Sequence, residues 1–165
     1  MTEDRRRGTG DGRVIMSKLK PIPKELIAPC GMNCALCSRY LAYLNNLDRS
    51  QCPGCRTRNT DCIYLFEKCS GINQGPTGEA LFCYECDQYP CQGIERMDKR
   101  YRENYGMSVM QNLERISEAG IEQFTSEQYQ KHKCDRCDNL ISVHNRKCFK
   151  CDTVTRLVEK PNTEY

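Results

Sequence analysis

Fourteen of the 165 residues are cysteines, and their spacing restricts the possible fold more than any other feature of the chain. Ten of them form five Cys-x-x-Cys pairs. Such a spacing closes a tight turn that directs both sulfurs to one point, and two facing pairs make the tetrahedral sulfur site that zinc or an iron–sulfur centre requires. The pattern therefore predicts a metalloprotein. The pairs are Cys34/Cys37, Cys52/Cys55, Cys83/Cys86, Cys134/Cys137 and Cys148/Cys151.

Disulfide bonding is the alternative, because cysteine-rich chains are often secreted. The first 20 residues carry charges but lack the apolar segment of a signal peptide, and no run approaches the roughly 20 apolar residues of a membrane span. The repeated two-residue spacing suits chelation better than the varied loops that disulfides close. We therefore expect a reducing, cytoplasmic location and no membrane association.

The composition indicates why such a chain would need metal. Apolar residues make up 38% of it, a figure that includes the cysteines, and it has no tryptophan and only four phenylalanines. A chain with so few core residues needs other stabilisation, which metal ions can provide. Each four-thiolate zinc site has a charge of about −2, so three sites would change the formal net charge from +3 to −3. A protein so loaded is not a natural binder of polyanions.

The predicted fold class is a small, metal-stabilised α+β protein with an irregular cysteine-knuckle region, short helices and a C-terminal zinc-ribbon hairpin. Ten cysteines precede a cysteine-free helical segment, and four follow it. The predicted segments are a disordered N-terminal extension at 1–27, a cysteine-rich metal-binding region at 28–92, a helical segment at 93–133, the zinc ribbon at 134–151 and a C-terminal tail at 152–165.

The last four cysteines form the most specific pattern. Ten residues separate the two pairs. Residues 140–143 suit a strand and residues 144–146 a turn, so the segment can form a hairpin. Four sulfurs leave no open position on the metal, which favours a structural role and predicts that His132 and His144 are not ligands. The predicted zinc ligands here are Cys134, Cys137, Cys148 and Cys151.

The first ten cysteines divide less clearly. A helix over residues 61–69 would separate Cys62 and Cys69 by about 10 Å along its axis, whereas ligands of one zinc lie about 4 Å apart. Cys30 and Cys62 then fall outside the sites, as buried thiols, substitute ligands or a reactive pair. One [4Fe–4S] cluster in this region, with zinc only in the ribbon, is the alternative. The favoured partition has one zinc at Cys34, Cys37, Cys52 and Cys55 and another at Cys69, Cys83, Cys86 and Cys91.

The cysteine-free segment has helix signals. Apolar residues recur at helical spacing over residues 94–101. Ser108-x-x-Gln111 is a capping box that opens a second helix, and Gly120 is a natural end for it. Thr125-x-x-Gln128 predicts a cap for a third, short helix. We expect these helices to pack across the first cysteine region.

The body of the chain resembles a known family in its cysteine motifs. The segments 28–37 (APCGMNCALC), 52–55 (CPGC), 83–91 (CYECDQYPC) and 105–108 (YGMS) are similar to those of the domain-of-unknown-function 3795 proteins of bacteria and archaea. The similarity extends over residues 28–151. It implies a presumed zinc-binding fold and no established activity.

Three functions are compatible with these patterns. No Ser/His/Asp set, paired carboxylates or phosphate loop is visible, so we expect a non-enzymatic, zinc-stapled module that binds a protein partner. The alternative is an iron–sulfur protein for electron transfer or redox sensing through the first cysteine region. The third is weak nucleic-acid binding through the ribbon, where residues 125–160 hold eight bases and five acids. The charge of a zinc site would largely cancel that excess, so nucleic acid is not expected as a partner.

Overall fold

The computed structural model describes residues 22–47, 52–58, 82–151 and 153–154. Within these ranges the protein is mostly helical, with a single antiparallel strand pair in which Lys147 lies opposite Val154. The elements are α1 (Ser38–Leu44), α2 (Cys55–Arg58), α3 (Gln92–Tyr105), α4 (Val109–Ala119), α5 (Ile121–His132), β1 (Lys147–Cys148), β2 (Thr153–Val154) and three short 3-10 helices at Lys24–Leu26, Cys34–Leu36 and Cys83–Glu85.

The link from α3 to α4 follows the helix signals of the sequence. Gly106 ends α3 in the left-handed conformation, with φ of 63°. Two residues later, the Ser108 hydroxyl accepts the backbone N–H of Gln111 at 3.0 Å, which caps α4. Gly120 ends α4 with a positive φ of 82°. The predicted cap at Ser108 and the predicted end at Gly120 are confirmed.

The predicted start of the third helix is wrong. Helix α5 begins at Ile121, directly after Gly120, so Thr125 lies inside the helix. Its hydroxyl donates to the carbonyl oxygen of Glu122 at 3.0 Å instead of capping a helix start. An earlier start places Phe124 on the buried face, where it is only 1% exposed, and this burial outweighs the local capping signal.

The N-terminal boundary of the folded part also differs from the prediction. The extension predicted for residues 1–27 is too long, because Ile22, Leu26 and Ile27 are 3%, 6% and 0% exposed and belong to the main core. Their burial removes apolar surface from water and adds material to a small core. Residues 1–21 lie outside the described residues, so the rest of the extension stays a prediction.

A close backbone approach joins this N-terminal segment to α4. Gly31 has a φ of 80°, and a Cβ there would lie 2.5 Å from the carbonyl oxygen of Val109 and 2.8 Å from Leu113 Cγ. Asn112 Nδ2 donates to the carbonyl oxygen of Gly31 at 2.8 Å. Only glycine permits both the conformation and the contact, so the loop that carries Cys30 is fitted to α4.

A buried carboxylate fastens α3 to the start of α4. Asp98 is 4% exposed and accepts hydrogen bonds from the Ser108 hydroxyl at 2.5 Å and from the Met110 backbone N–H at 3.0 Å. Arg102 Nε donates to it at 2.6 Å. Burial alone would raise the pKa of Asp98, but these hydrogen bonds outweigh it and lower the pKa below its ordinary value.

Some predicted features fall on the rest of the chain. The helix predicted for residues 61–69, with Cys62 and Cys69, and most of the predicted tail at 152–165 lie outside the described residues. Among the described helices, none combines the length and the apolar character that crossing a bilayer requires.

Candidate metal centre

The sulfurs of the last two cysteine pairs converge on one point. Cys137 Sγ lies 3.5 Å from Cys148 Sγ and 3.8 Å from Cys151 Sγ, and the sulfurs of Cys134 and Cys151 are 3.6 Å apart. Within the ranges that the structure describes, this is the one group of three or more His, Cys, Asp or Glu residues whose ligand atoms all lie within 4.8 Å of each other. The spacing matches the roughly 4 Å edges of a zinc–thiolate tetrahedron and far exceeds the ~2.05 Å of a disulfide. This sulfur quartet could therefore hold a metal ion.

Backbone hydrogen bonds shape the first pair of the quartet. The carbonyl oxygen of Cys134 accepts the N–H of Cys137 at 3.3 Å and that of Asp138 at 2.8 Å. Asp138 adopts a left-handed conformation with φ of 55°, which aspartate tolerates better than most residues. The N–H of Cys134 donates to the carbonyl oxygen of Asn139 at 2.7 Å. These backbone hydrogen bonds shape the turn that directs the sulfurs of Cys134 and Cys137 to one point.

Burial shapes the chemistry of the quartet. Cys134 and Cys148 are fully buried, while Cys137 and Cys151 are partly exposed. Burial raises the pKa of the Cys148 thiol, so without a cation nearby this group keeps its proton at neutral pH. A bound metal ion reverses that preference and displaces the proton. The donor set of four sulfurs fits zinc or iron rather than a hard cation such as Mg²⁺.

The segment between the two pairs is a tight turn. Ile141 forms a single antiparallel bridge with Cys148, and the N–H of Ser142 donates to the carbonyl oxygen of Lys147 at 3.0 Å. Arg146 closes the turn with an N–H donated to Ser142 at 2.9 Å. The strand predicted for residues 140–143 is reduced to two isolated bridges, this one and one between Lys133 and Leu140, because the chain already reverses at 142–147 and β1 pairs with β2 instead.

This turn, residues 142–147, contacts the first cysteine region. The N–H of Val143 donates to the carbonyl oxygen of Leu36 at 3.1 Å. The N–H of Ser38, at the start of α1, donates to His144 Nδ1 at 3.1 Å. His144 Nε2 lies 3.3 Å from the Tyr101 hydroxyl. Both ring nitrogens of His144 are therefore engaged, and burial lowers its pKa.

Neither histidine belongs to the sulfur quartet. His144 also packs edge-on against the ring of Tyr105, at a centroid distance of 4.7 Å. His132 is 6% exposed at the end of α5, and burial lowers its pKa to about 4. Both side chains belong to the packing around the centre.

The first two predicted pairs lie side by side. The N–H of Cys55 donates to Cys34 Sγ at 3.4 Å. Gly54 has a φ of 105°, and a Cβ there would lie 2.9 Å from Leu26, so the knuckle packs closely on the core. Burial raises the pKa of Cys37, with smaller contributions from the nearby Cys34 and Cys52 thiols. The structure thus brings the predicted set of Cys34, Cys37, Cys52 and Cys55 into one neighbourhood, although its sulfurs do not meet the spacing of the C-terminal quartet.

A cationic side chain that no sequence motif marks lies in the same neighbourhood. Arg56, directly after the second knuckle, donates from Nε to the carbonyl oxygen of Ile27 at 2.5 Å, and its Cζ lies 4.9 Å from the centre of the Phe82 ring. Burial lowers the pKa of Arg56, and neighbouring thiols oppose that shift. These thiols belong to Cys30, Cys34, Cys55 and Cys83.

Cys30, assigned outside the predicted sites, is therefore a neighbour of the site cysteines. It is 2% exposed and lies in the loop that ends at Cys34. In the same loop Asn33 is fully buried, and its Oδ1 accepts the N–H of Ala35 at 3.1 Å. Its Nδ2 donor lacks a hydrogen-bond partner. A buried donor of this kind suits a metal-bound thiolate or a cluster sulfide as its acceptor.

The second predicted set is described only in part, because Cys69 lies outside the described residues. The N–H of Cys83 donates to the carbonyl oxygen of Pro29 at 2.8 Å, which joins this segment to the loop of Cys30. Cys86 follows in the same turn, and Cys91 directly precedes α3. The three described members, Cys83, Cys86 and Cys91, lie in the segment that leads into α3 and do not form a group with the quartet spacing.

Comparison with known proteins gives a family but no characterised relative. A search of curated proteins and a search of solved structures found no match to the chain. The family model described as "Protein of unknown function (DUF3795)" matches residues 26–96. The match covers the first cysteine region and ends early in α3, so the sulfur quartet lies beyond it. This match confirms the resemblance of residues 26–96 to the DUF3795 family.

Proposed function

We propose that the protein is a non-enzymatic, zinc-stabilised interaction module. The observation that carries the proposal is the convergence of Cys134, Cys137, Cys148 and Cys151, in which three of the sulfur–sulfur distances are 3.5 to 3.8 Å. Four thiolates complete a tetrahedral zinc shell and leave no position for a water or a substrate. Such a centre stabilises structure and does no chemistry of its own.

The contacts of the turn 142–147 support a structural role. The metal would join the two ends of the segment that contains this turn, and the turn contacts Leu36 and Ser38. Holding it would therefore also hold the loop that carries the first cysteines. This matters because the core of the described residues is small, and metal binding contributes directly to the free energy of folding in small domains.

For the first cysteine region, the proposal keeps two further zinc ions, three in all. The neighbourhood of Cys34, Cys52 and Cys55 supports the first of these sites. A reducing, cytoplasmic compartment is part of the proposal, since these thiolates must stay reduced to bind zinc. The proposed ligands in this region are Cys34, Cys37, Cys52 and Cys55 for one ion, and Cys69, Cys83, Cys86 and Cys91 for the other.

An iron–sulfur centre in the first region is the second candidate. Two observations favour it: the buried Nδ2 donor of Asn33 and the guanidinium of Arg56 beside four thiols. Hydrogen bonds to the sulfurs and nearby cations stabilise the negative charge of such clusters and set their potentials. In this version the protein would transfer electrons or sense redox state, and Cys30 would be a ligand.

An exposed apolar patch supports the interaction role. Tyr43, Leu44 and Leu47, at and just after the end of α1, are 42%, 55% and 59% exposed.

A photo-crosslinker at position 44 tests this role and should give one discrete adduct in cells. Leu47→Glu should abolish that adduct, and a crosslinker at the exposed Lys99 should not give it. An identical adduct pattern at both positions would contradict the interaction role.

Metal content and colour test the metal assignments. Protein purified without oxygen should be colourless and contain three zinc ions, and Cys134→Ser/Cys148→Ser should contain one fewer. Cys30→Ala is the matched comparison, because it leaves the proposed zinc sites complete and should keep all three ions. A brown, iron-containing protein that loses its colour in Cys30→Ala would instead support the iron–sulfur centre in the first region. A quartet variant with unchanged metal content would refute the C-terminal site.

A further inference from the structure

A cavity with both polar and apolar lining lies between α4, α5 and the turn 142–147. It has a volume of about 100 Å³. At roughly 10 to 15 Å³ for each water-sized position, such a volume accommodates a molecule of roughly 7 to 10 non-hydrogen atoms. The side chains that matter for its chemistry are those of Ser108, Asn112, Gln128, Lys131, His132 and Arg146.

Two residues that line the cavity each have a buried polar atom without a hydrogen-bond partner. His132 is 6% exposed, and its Nδ1 has no hydrogen-bond partner. One turn earlier on α5, Gln128 Oε1 is also buried and without a partner. Buried polar atoms are nearly always hydrogen-bonded in folded proteins, so two such atoms on residues of one cavity point to a ligand that draws them into contact. Gln128 Oε1 can only accept, and it therefore requires a ligand with an O–H or N–H group.

The charges around the cavity select the sign of the ligand. Lys131 and Arg146 both line it, and no aspartate or glutamate is among the lining residues. The carboxylate of Asp98 lies near the start of α4, but it already accepts hydrogen bonds from Ser108 and Met110. Two cations without a lining acid favour an anion, and a carboxylate or phosphate matches the guanidinium of Arg146.

We propose that this cavity binds a small organic anion that carries a hydroxyl or amino group, of the size of an amino acid or a hydroxy acid. The anionic group contacts Lys131 and Arg146. The hydroxyl or amino group donates to Gln128 Oε1, and His132 Nδ1 supplies a further polar contact. No cysteine of the sulfur quartet lines the cavity.

The test is an NMR titration of the full chain, as purified with its metal, using three probes of similar size. L-malate has both the negative charge and the hydroxyl group, succinate lacks the hydroxyl, and L-malamide lacks the charge. Malate should shift the amides of Gly106, Gln128 and His132, and it should bind about tenfold more tightly than either of the others. Metal content is measured after the titration, because malate could also shift amides by removing the bound metal ion. Amide shifts that accompany a loss of metal would count against the proposal.

Matched variants identify the site. Gln128→Glu places a negative charge at the cavity and should weaken malate binding about tenfold or more, whereas Gln130→Glu adds the same charge to the exposed side of α5 and should change it less than about twofold. Lys131→Gln should weaken binding and Lys99→Gln should not, and both are exposed positions where folding is not at risk. The proposal fails if millimolar malate shifts none of these amides, or if Gln128→Glu and Gln130→Glu weaken binding equally.

Discussion

The backbone N–H of Val143 donates to the carbonyl oxygen of Leu36 at 3.1 Å, and this bond joins the last cysteine region to the first. Leu36 lies between two predicted metal ligands, Cys34 and Cys37. The bond from Ser38 to His144 lies beside it and joins positions 106 residues apart in the chain. The turn between the last two cysteine pairs therefore packs directly against the first cysteine region.

Metal removal should accordingly loosen both regions together. After chelation, the amides of Val143 and Ser38 should exchange with solvent faster, because their acceptors are held by segments that depend on metal. The amide of Leu113 in α4 should change less, since that residue is fully buried among apolar side chains. Hydrogen exchange measured with and without chelator checks this. Unchanged exchange at Val143 and Ser38 would show that neither region needs metal to fold.

Replacement of His144 should weaken the contact between the two regions. His144→Phe keeps the ring next to Tyr101 and Tyr105 but leaves the N–H of Ser38 without an acceptor, at a cost of about 1 to 3 kcal/mol in the free energy of unfolding at neutral pH. Asn145→Ala, at an exposed position in the same turn, is the control and should cost far less. Urea unfolding followed by circular dichroism measures both. Equal losses would show that the turn, rather than the His144 hydrogen bonds, is responsible.

The difference in stability between wild type and His144→Phe should depend on pH. Burial lowers the pKa of His144, with a smaller contribution from Arg100, so the folded state binds fewer protons at this site than the unfolded state. The stability that neutral His144 contributes is present above its unfolded pKa of about 6.5 and is lost as the pH falls towards the folded value. The difference in unfolding free energy between wild type and His144→Phe should therefore shrink from about pH 7.5 to about pH 5.5. A constant difference would contradict this assignment.

The glycine at the junction with α4 permits a test with a matched control. At Gly31 a methyl group would lie 2.5 Å from the Val109 carbonyl oxygen, and its φ is 80°, so Gly31→Ala should lower the free energy of unfolding by roughly 2 to 4 kcal/mol. At Gly93, in the first turn of α3, the nearest atom to a new methyl group is Cys91 Sγ at 3.7 Å. Gly93→Ala should therefore be neutral or stabilise by up to about 1 kcal/mol. Thermal unfolding should show a clear loss of stability for Gly31→Ala and none for Gly93→Ala, and equal losses would contradict the close approach at Gly31.

Local signals in the sequence predicted the parts of the fold that local chemistry decides. The cap at Ser108 depends on a donor only three residues away, and the C-terminal quartet on two short turns joined by ten residues. The capping signal at Thr125 failed because a local hydrogen bond is weaker than the burial of Phe124, which requires a helix that begins earlier.

Contacts between distant segments could not be predicted in this way. Nothing in the sequence around residue 36 marks it as the acceptor for Val143, and the neighbourhood of Cys30 and Arg56 exists only once several loops have packed. The cavity at Gln128 is of the same kind, since its walls come from three separate elements. The sequence does not mark the core residues at 22–27, because only a few apolar side chains are spread among prolines and charges, with no helical or strand period.

The hydrogen-bonded carboxylate of Asp98 should behave as a unit with Ser108. Asp98→Asn weakens bonds to the Ser108 hydroxyl, the Met110 N–H and Arg102, and hydrogen bonds to a buried charge contribute about 1.5 to 3 kcal/mol. Ser108→Ala removes both the cap of α4 and a donor to Asp98, at about 1 to 2 kcal/mol. Because the two residues share one bond, the double variant should lose less stability than the two single losses added together. Urea unfolding of the four proteins at neutral pH measures the coupling, and strictly additive losses would show that the Ser108–Asp98 bond contributes nothing to the start of α4.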